Sequence, residues 1–117
     1  MQLLLVYSTL PGQIEACRRF VQEMNDRWGE AHAASRAGMD VHDERIWILE
    51  TATAATVIFL METGSPDDVL QALATSQLPF DRWFRQQLLA LSGLDLAEAS
   101  HKLVPELISG WQTPLGA

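Results

Sequence analysis

Apolar and polar positions divide the first third of the chain into a short run and a long periodic stretch. Residues 2–8, "QLLLVYS", are mostly apolar and precede a Pro-Gly pair, which is typical of a strand that ends in a turn. From residue 13 to about residue 37, apolar side chains recur every three or four positions, which predicts an amphipathic helix. Gly29 weakens helical structure, so we expect a kink near it, and Gly38 is a candidate to end the helix.

The middle of the chain predicts a β-hairpin. Residues 44–51 and 55–63 are short runs rich in apolar and β-branched side chains. Only a short link separates them, so they should pair as antiparallel strands. Residues 40–44, "DVHDE", come just before the first run and are interpreted as a solvent-exposed turn.

Two helices are predicted after the hairpin. Ser65 is placed to cap the first of them, with Pro66 at its first position and Asp68 at the spacing of a capping box. This helix should extend to about residue 75. The second helix should begin near Pro79 and end at Gly93.

The last of these helices begins with the unusual stretch "PFDRWFRQQ", residues 79–87. Phe80 and Phe84 lie one turn apart on a stripe that leucines continue, so we expect them to anchor the helix in the core. Asp81 falls in the first turn, where the helix dipole favours a negative charge. Trp83 lies at the border of the stripe, where it could line the mouth of a pocket.

The end of the chain predicts one more strand. Residues 94–102 form a connector, and Pro105 then precedes a strand from about Glu106 to Trp111. The predicted order is β-α-β-β-α-α-β in a single domain, residues 1–117. This order favours an α+β fold, the ferredoxin-like plait with one added helix. In it, a four-stranded antiparallel sheet carries its helices on one face.

Both faces of the predicted sheet are apolar. In the first strand Leu3 and Leu5 alternate with Leu4 and Val6, and the other strands follow the same pattern. Because helices can cover only one face, something else must cover the other. We expect a second copy there, so that a homodimer packs sheet against sheet. The alternative is that the connector or the added helix folds across this face.

Composition limits the classes of partner. The formal net charge is −7, and the 8 Lys and Arg residues are scattered, so nucleic acid and anionic membrane surfaces are not expected partners. Cys17, the single cysteine, is expected to be a core thiol in a reducing compartment. The N-terminal segment lacks the basic lead of a signal peptide, and the longest apolar stretch is too short to cross a membrane. We therefore expect a cytoplasmic protein.

Three segments resemble a known superfamily: "ERIWILETATAATVIFLMET", "LATSQLPFDRWFRQQ" and "GLDL". They are similar to a group of short, uncharacterised bacterial proteins of the dimeric α/β-barrel superfamily of ferredoxin-like proteins. That superfamily includes cofactor-independent monooxygenases, haem-degrading enzymes, muconolactone-isomerase-like enzymes and stress-related proteins without known activity. The resemblance implies that a ligand would bind between the sheet and the helices of one protomer. The histidine, asparagine and tryptophan that haem-degrading relatives use have no matching set here, so that activity is not carried over.

Candidate ligand-binding residues lie around the predicted sheet. A phenol, a guanidinium, indoles and a carboxylate beside an apolar cleft suit a flat aromatic or enolic ligand. Arg45 would hold an anion, and Tyr7 would take part in proton transfer. The alternative is structural, with Trp47 in a dimer interface and Arg45 paired with a nearby carboxylate. The full set is Tyr7, Arg45, Trp47, Glu62 and Trp83.

The remaining polar residues suggest no further site. Carboxylates and His42 in "DVHDE" could bind a divalent metal, but a solvated turn is the simpler interpretation. His32 and His101 have no evident partner in the sequence and are expected at the surface. Neither a metal nor a cofactor is therefore expected. Two functions follow as hypotheses: a small-molecule-binding protein or cofactor-independent, monooxygenase-like enzyme, and a non-enzymatic homodimer with a structural or interaction role.

Overall fold

The computed structural model describes residues 1–114, except for the side chains of residues 99–101. It consists of a sheet and a layer of helices. The strands are β1 (Gln2–Ser8), β2 (Val41–Glu50) and β3 (Ala55–Thr63). The helices are α1 (Ile14–Asp26), α2 (Gly29–Gly38), α3 (Pro66–Thr75), α4 (Pro79–Ser92) and α5 (Leu96–Ala99), followed by a 3₁₀ turn at Ser100–Leu103.

The long amphipathic stretch forms two helices instead of one kinked helix. The predicted bend near Gly29 is confirmed, but it interrupts the helix, because Trp28 takes a non-helical backbone with φ −107° and ψ 10°. At this break the indole of Trp28 stacks on Trp83 of α4, with ring centroids 5.3 Å apart. The interruption thus coincides with a tertiary contact that periodicity along one helix does not reveal.

The segment "DVHDE" is mostly strand, so its interpretation as a turn was wrong. Only Asp40 takes a turn conformation, with φ 59°, and β2 begins at the next residue. Val41 pairs with Thr63, and a bulge between Val41 and Asp43 then places Glu44 opposite Met61. Pairing with β3 therefore extends the strand into a sequence whose polar composition argues against it.

The sheet is antiparallel and has three strands in the order β1-β3-β2. The predicted hairpin of β2 and β3 is confirmed. The described residues do not form the predicted fourth strand, since residues 104–114 have no regular secondary structure. A segment with strand propensity does not hold a strand conformation unless it pairs with a neighbour. The fold is thus α+β, and in the described chain β1 and β2 are both edge strands.

The core lies between the sheet and the helices. Phe80 and Phe84 are fully buried there, which confirms that "PFDRWFRQQ" anchors α4, and Gly93 ends this helix in the left-handed conformation, φ 77°. Ser65 caps α3 as predicted, since its hydroxyl accepts a hydrogen bond from the backbone N–H of Asp68. Among the described residues, no helix combines the length and apolarity needed to cross a membrane.

The opposite face of the sheet, here called the open face, is apolar and uncovered. Its rows run across all three strands: Leu4, Leu60 and Arg45 form one row, and Val6, Ile58 and Trp47 form the next. Trp47 is 48% exposed and Leu49 is 65% exposed. In the part of the chain that the structure describes, neither the connector nor the added helix folds across this face, so that alternative is wrong. The apolar members of the open face are Leu4, Val6, Trp47, Leu49, Ile58 and Leu60.

Candidate functional site

A cleft opens between α1 and the edge strand β2. It has a volume of about 150 Å³ and reaches the covered face of the sheet from the side. Its position follows from the sheet order, because β2 has no neighbour beyond it among the described strands and α1 leaves its inner face half-covered. The walls are mostly apolar. The cleft is lined by Cys17, Arg18, Val21, Ile46, Trp47, Ile48 and Val57.

A charged pair marks the mouth of this cleft. The guanidinium of Arg18 on α1 donates from its Nε to the carboxylate of Glu50 at the end of β2, over 2.9 Å, and its Nη2 contacts the same oxygen. Both side chains are substantially exposed. Because both side chains are exposed, this pair contributes little to stability, so a ligand anion could replace Glu50 as the partner of Arg18.

Cys17 lines the cleft, and the phenol of Tyr7 lies next to it in the core. The hydroxyl of Tyr7 lies 3.7 Å from Sγ of Cys17, and both side chains are buried. Burial raises the pKa of the Tyr7 phenol and, by the same cause, that of the Cys17 thiol. Both groups therefore stay protonated near neutral pH, and Cys17 lacks the thiolate that a nucleophile requires. The core position predicted for Cys17 is confirmed.

The predicted ligand-binding residues do not converge on one cleft. Tyr7 lies on the covered face, beneath the cleft, and Trp47 lies at its rim. Arg45 and Glu62 project from the open face. The Nε of Arg45 lies 3.3 Å from Oδ2 of Asp43, and Oε1 of Glu62 lies 3.1 Å from the amino group of Met1. The sheet therefore separates Arg45 from Tyr7, although both were assigned to one ligand.

Trp83 belongs to an aromatic cluster on the helical side. Its ring lies 5.3 Å from those of Trp28 and Phe20 and 5.9 Å from that of Phe80, measured between centroids. A groove of about 370 Å³ runs beside this cluster, lined by Trp28, Ala31, Leu78 and other apolar residues. Ser35 is its hydroxyl-bearing member, and that hydroxyl already donates to Asp81. Ligand sites combine apolar walls with free polar groups, so the smaller cleft beside α1 is the better candidate.

A buried polar network, which the sequence did not reveal, joins α2 to β2. Nε2 of His32 lies 2.8 Å from Oε1 of Glu44, and Nε of Arg36 donates to Oε2 of Glu44 over 2.5 Å. The expected surface position of His32 was wrong, because its ring stacks on Phe80 with centroids 5.1 Å apart. The side chain of His101 lies outside the described residues. The spacing of His32 and Arg36, one helical turn apart, was the available signal, but Glu44 stood at the boundary between a predicted turn and a predicted strand, and its inward direction was not apparent.

The network continues from Arg36 to α4. Its guanidinium carbon lies 5.0 Å from the ring centre of Phe84, and among the described residues its Nη2 has no hydrogen-bond partner. The aromatic face provides the compensating interaction for this buried cation. Ser35 donates to Oδ1 of Asp81 over 2.5 Å, and Ser76 donates to Oδ2 over 2.6 Å. Both oxygens of Glu44 and both oxygens of Asp81 are therefore bonded within the protein. The network is suited to holding α2 against β2 and α4, and not to binding a ligand.

Among the described residues, no group of three or more His, Cys, Asp or Glu side chains is placed to hold a metal ion. Nε2 of His42 lies 3.0 Å from Oδ1 of Asp40, but both side chains are exposed.

Comparison with known proteins adds no further constraint. No protein family, no curated protein and no solved structure matches this chain. The cleft beside α1 and the open face therefore have to be interpreted from their own chemistry.

Proposed function

We propose that this protein binds a small, flat, mainly apolar compound in the cleft between α1 and β2. The observation that carries the proposal is the combination of apolar walls with the Arg18–Glu50 pair at the mouth. A core cavity of about 150 Å³ is large enough to hold a single benzene ring. A one-ring compound with a carboxylate could insert its ring between Val21 and Ile48 and present its charge to Arg18.

Binding is better supported than catalysis. The raised pKa values of Tyr7 and Cys17 keep both groups protonated, so neither suits the removal of a proton from a substrate. A cofactor-independent, monooxygenase-like reaction on an enolic compound stays a prediction. It would require another group to stabilise the substrate anion, and Arg18 is the cation at the mouth.

The binding proposal can be tested with two probes of similar size, benzoate and benzyl alcohol. In a heteronuclear NMR titration, both should shift the backbone amides of Cys17, Val21 and Ile48. Val21→Phe should abolish these shifts, because Val21 is half-buried in the cleft wall and a larger ring fills the space. Leu89→Phe, on the outer side of α4, is the matched control and should leave binding unchanged. Absence of shifts at millimolar concentrations of both probes would overturn the proposal.

A variant of Arg18 tests whether this residue recognises the charge of the ligand and not its ring. Arg18→Gln should weaken benzoate binding roughly two- to fivefold, the factor expected for an exposed ion pair. The same change should leave benzyl alcohol binding within a factor of about two. Equal losses for both probes would remove Arg18 from the site as a charge-recognising group.

A second candidate function is homodimerisation, with a structural or interaction role. The uncovered open face favours it, since contiguous exposed apolar surface is typical of interfaces. The Arg45–Asp43 pair balances charge on this face, whereas the whole chain carries a net charge of −7. Two copies would therefore meet with little repulsion there. In this proposal, two ferredoxin-like units form a dimeric α/β barrel in the cytoplasm, where a buried free thiol is stable.

The dimer proposal has a closely matched pair of variants. Trp47 on the open face and Leu89 on α4 are each 48% exposed. Trp47→Glu should give a monomer in sedimentation equilibrium, because a charge would be buried in the interface. Leu89→Glu should remain a dimer. A parent protein that is monomeric at all accessible concentrations, or a dimeric Trp47→Glu variant, would contradict the proposal.

A further inference from the structure

The C-terminal segment, residues 104–114, exposes large apolar side chains outside the folded body. Leu107 is 84% exposed, Ile108 is 88% exposed and Trp111 is 85% exposed. Within this segment Glu106 is the charged residue. Three side chains of this kind so close together are unfavourable in water unless a partner covers them.

The sheet offers an edge that fits such a partner. β2 spans 10 residues and pairs only with β3 among the described residues, so half of its backbone groups face away from the sheet. From Ile46 to Leu49 this edge is apolar, and an uncovered apolar edge is a ready template for pairing with another strand. The other edge, β1, is the less open of the two, because the 3₁₀ turn at Ser100–Leu103 packs against it.

We infer that the C-terminal segment of one copy adds as a fourth strand to the free edge of β2 in a second copy. It thereby covers the ligand cleft beside α1. This inference deepens the proposed function and rests on it for the role of the cleft. The exchange is reciprocal in a symmetric dimer, as in a domain swap.

Side-chain alternation supports this pairing. In a strand, Leu107 and Trp111 point to one face and Ile108 points to the other. β2 has the same two-sided character, with Trp47 and Leu49 on the open face and Ile46 and Ile48 on the cleft side. In the orientation that this inference assigns, Leu107 and Trp111 extend the open face and Ile108 closes the side of the cleft.

The length of the segment also fits. Residues 104–114 reach about 35 Å when extended, at roughly 3.3 Å per residue. β2 has 10 residues, so the segment is long enough to follow most of this strand. The strand predicted from Glu106 to Trp111 is then a real strand whose partner belongs to the second copy.

The test is disulfide trapping in full-length chains that carry Cys17→Ala. Two single variants, Trp111→Cys and Leu49→Cys, are mixed and oxidised. The expected product is a covalent heterodimer, formed severalfold more efficiently than with Leu4→Cys on β1 as the matched control. Equal trapping at Leu4→Cys, or none at either position, overturns the inference. So does a double variant, Leu49→Cys with Trp111→Cys, that closes its disulfide within one chain at every protein concentration.

Benzoate binding, measured beside disulfide trapping, distinguishes failure of the strand exchange from failure of the proposed ligand site. Ile108→Asp should weaken benzoate binding severalfold, since it would place a carboxylate beside the cleft, whereas Ser109→Asp on the opposite side of the strand should have a smaller effect. Efficient trapping in a protein that binds no benzoate would leave the strand exchange standing and refute the ligand site. Benzoate binding without disulfide trapping would support the ligand site and refute the strand exchange.

Discussion

Nε2 of His32 lies 2.8 Å from Oε1 of Glu44, so a histidine of α2 is bonded to a carboxylate of the edge strand β2. Arg36, one helical turn further along α2, bonds the other oxygen of the same carboxylate. Glu44 is therefore the single group through which two side chains of α2 are attached to the sheet. Because Arg36 and Glu44 are both buried, each depends on the other for compensation of its charge.

Glu44→Gln should destabilise the protein strongly. The change leaves the buried Arg36 guanidinium without its counter-charge, and breaking a buried pair from one side costs about 3–5 kcal/mol. Urea denaturation measures the loss in free energy of unfolding. Glu62→Gln is the matched control, since Glu62 is exposed on the same sheet, and it should change stability by less than about 1 kcal/mol. Equal losses in the two variants would contradict the role assigned to Glu44.

Glu44 should also make stability depend on pH in the acidic range. Burial alone raises the pKa of this carboxyl, but the His32 hydrogen bond and the Arg36 charge outweigh it and hold the pKa below the ordinary 4.5. The folded protein thus keeps Glu44 ionised where the unfolded chain binds a proton. Its contribution is fully present above the unfolded pKa and is lost as pH falls through the folded pKa.

The measurement is the free energy of unfolding from about pH 7 to about pH 3. Stability of the parent should fall below about pH 4.5, and the curve of Glu44→Gln should be flatter there, since one contributing group is gone. Parallel curves for the two proteins would show that other carboxylates dominate acid unfolding.

How much the sequence predicts depends on the range of the interactions involved. β1, β3, α3 and α4 follow from periodicity, caps and the glycine at Gly93, which are local signals. The start of β2 and the break at Trp28 depend on pairing and stacking with distant segments, so composition misleads there. The predicted ligand site failed for the same reason. Arg45 and Tyr7 lie on opposite faces of the sheet, and this follows from strand alternation only once the pairing register is known.

Asp81 provides a test of whether the helix dipole or specific hydrogen bonds determine its role. Its carboxylate is buried and accepts hydrogen bonds from Ser35 and Ser76. Asp81→Asn replaces one acceptor by an amide donor, so a serine loses its partner and stability should fall by about 1–3 kcal/mol. Asp67→Asn, in the exposed first turn of α3, should cost only about 0.3–1 kcal/mol through the dipole. Similar losses in thermal or urea unfolding would favour the dipole alone.

Two aromatic residues of α4, Phe84 and Trp83, should contribute differently to stability. Phe84 is fully buried, and its ring lies 5.8 Å from that of Phe59 and 5.7 Å from that of Phe20. Phe84→Ala should therefore lower the free energy of unfolding by about 3–5 kcal/mol, through lost contacts and the cavity left behind. Trp83 is half-buried and stacks on Trp28, so Trp83→Ala should cost less than Phe84→Ala although it removes more atoms.

The comparison is made by urea denaturation followed by far-ultraviolet circular dichroism, because loss of a tryptophan alters the fluorescence signal itself. A larger loss for Trp83→Ala than for Phe84→Ala would make the Trp28–Trp83 stack the anchor of α4. In that case the break between α1 and α2 would be a requirement of the core. If Phe84→Ala causes the larger loss in free energy of unfolding, as expected, the Trp28–Trp83 stack only covers the outer side of the aromatic cluster.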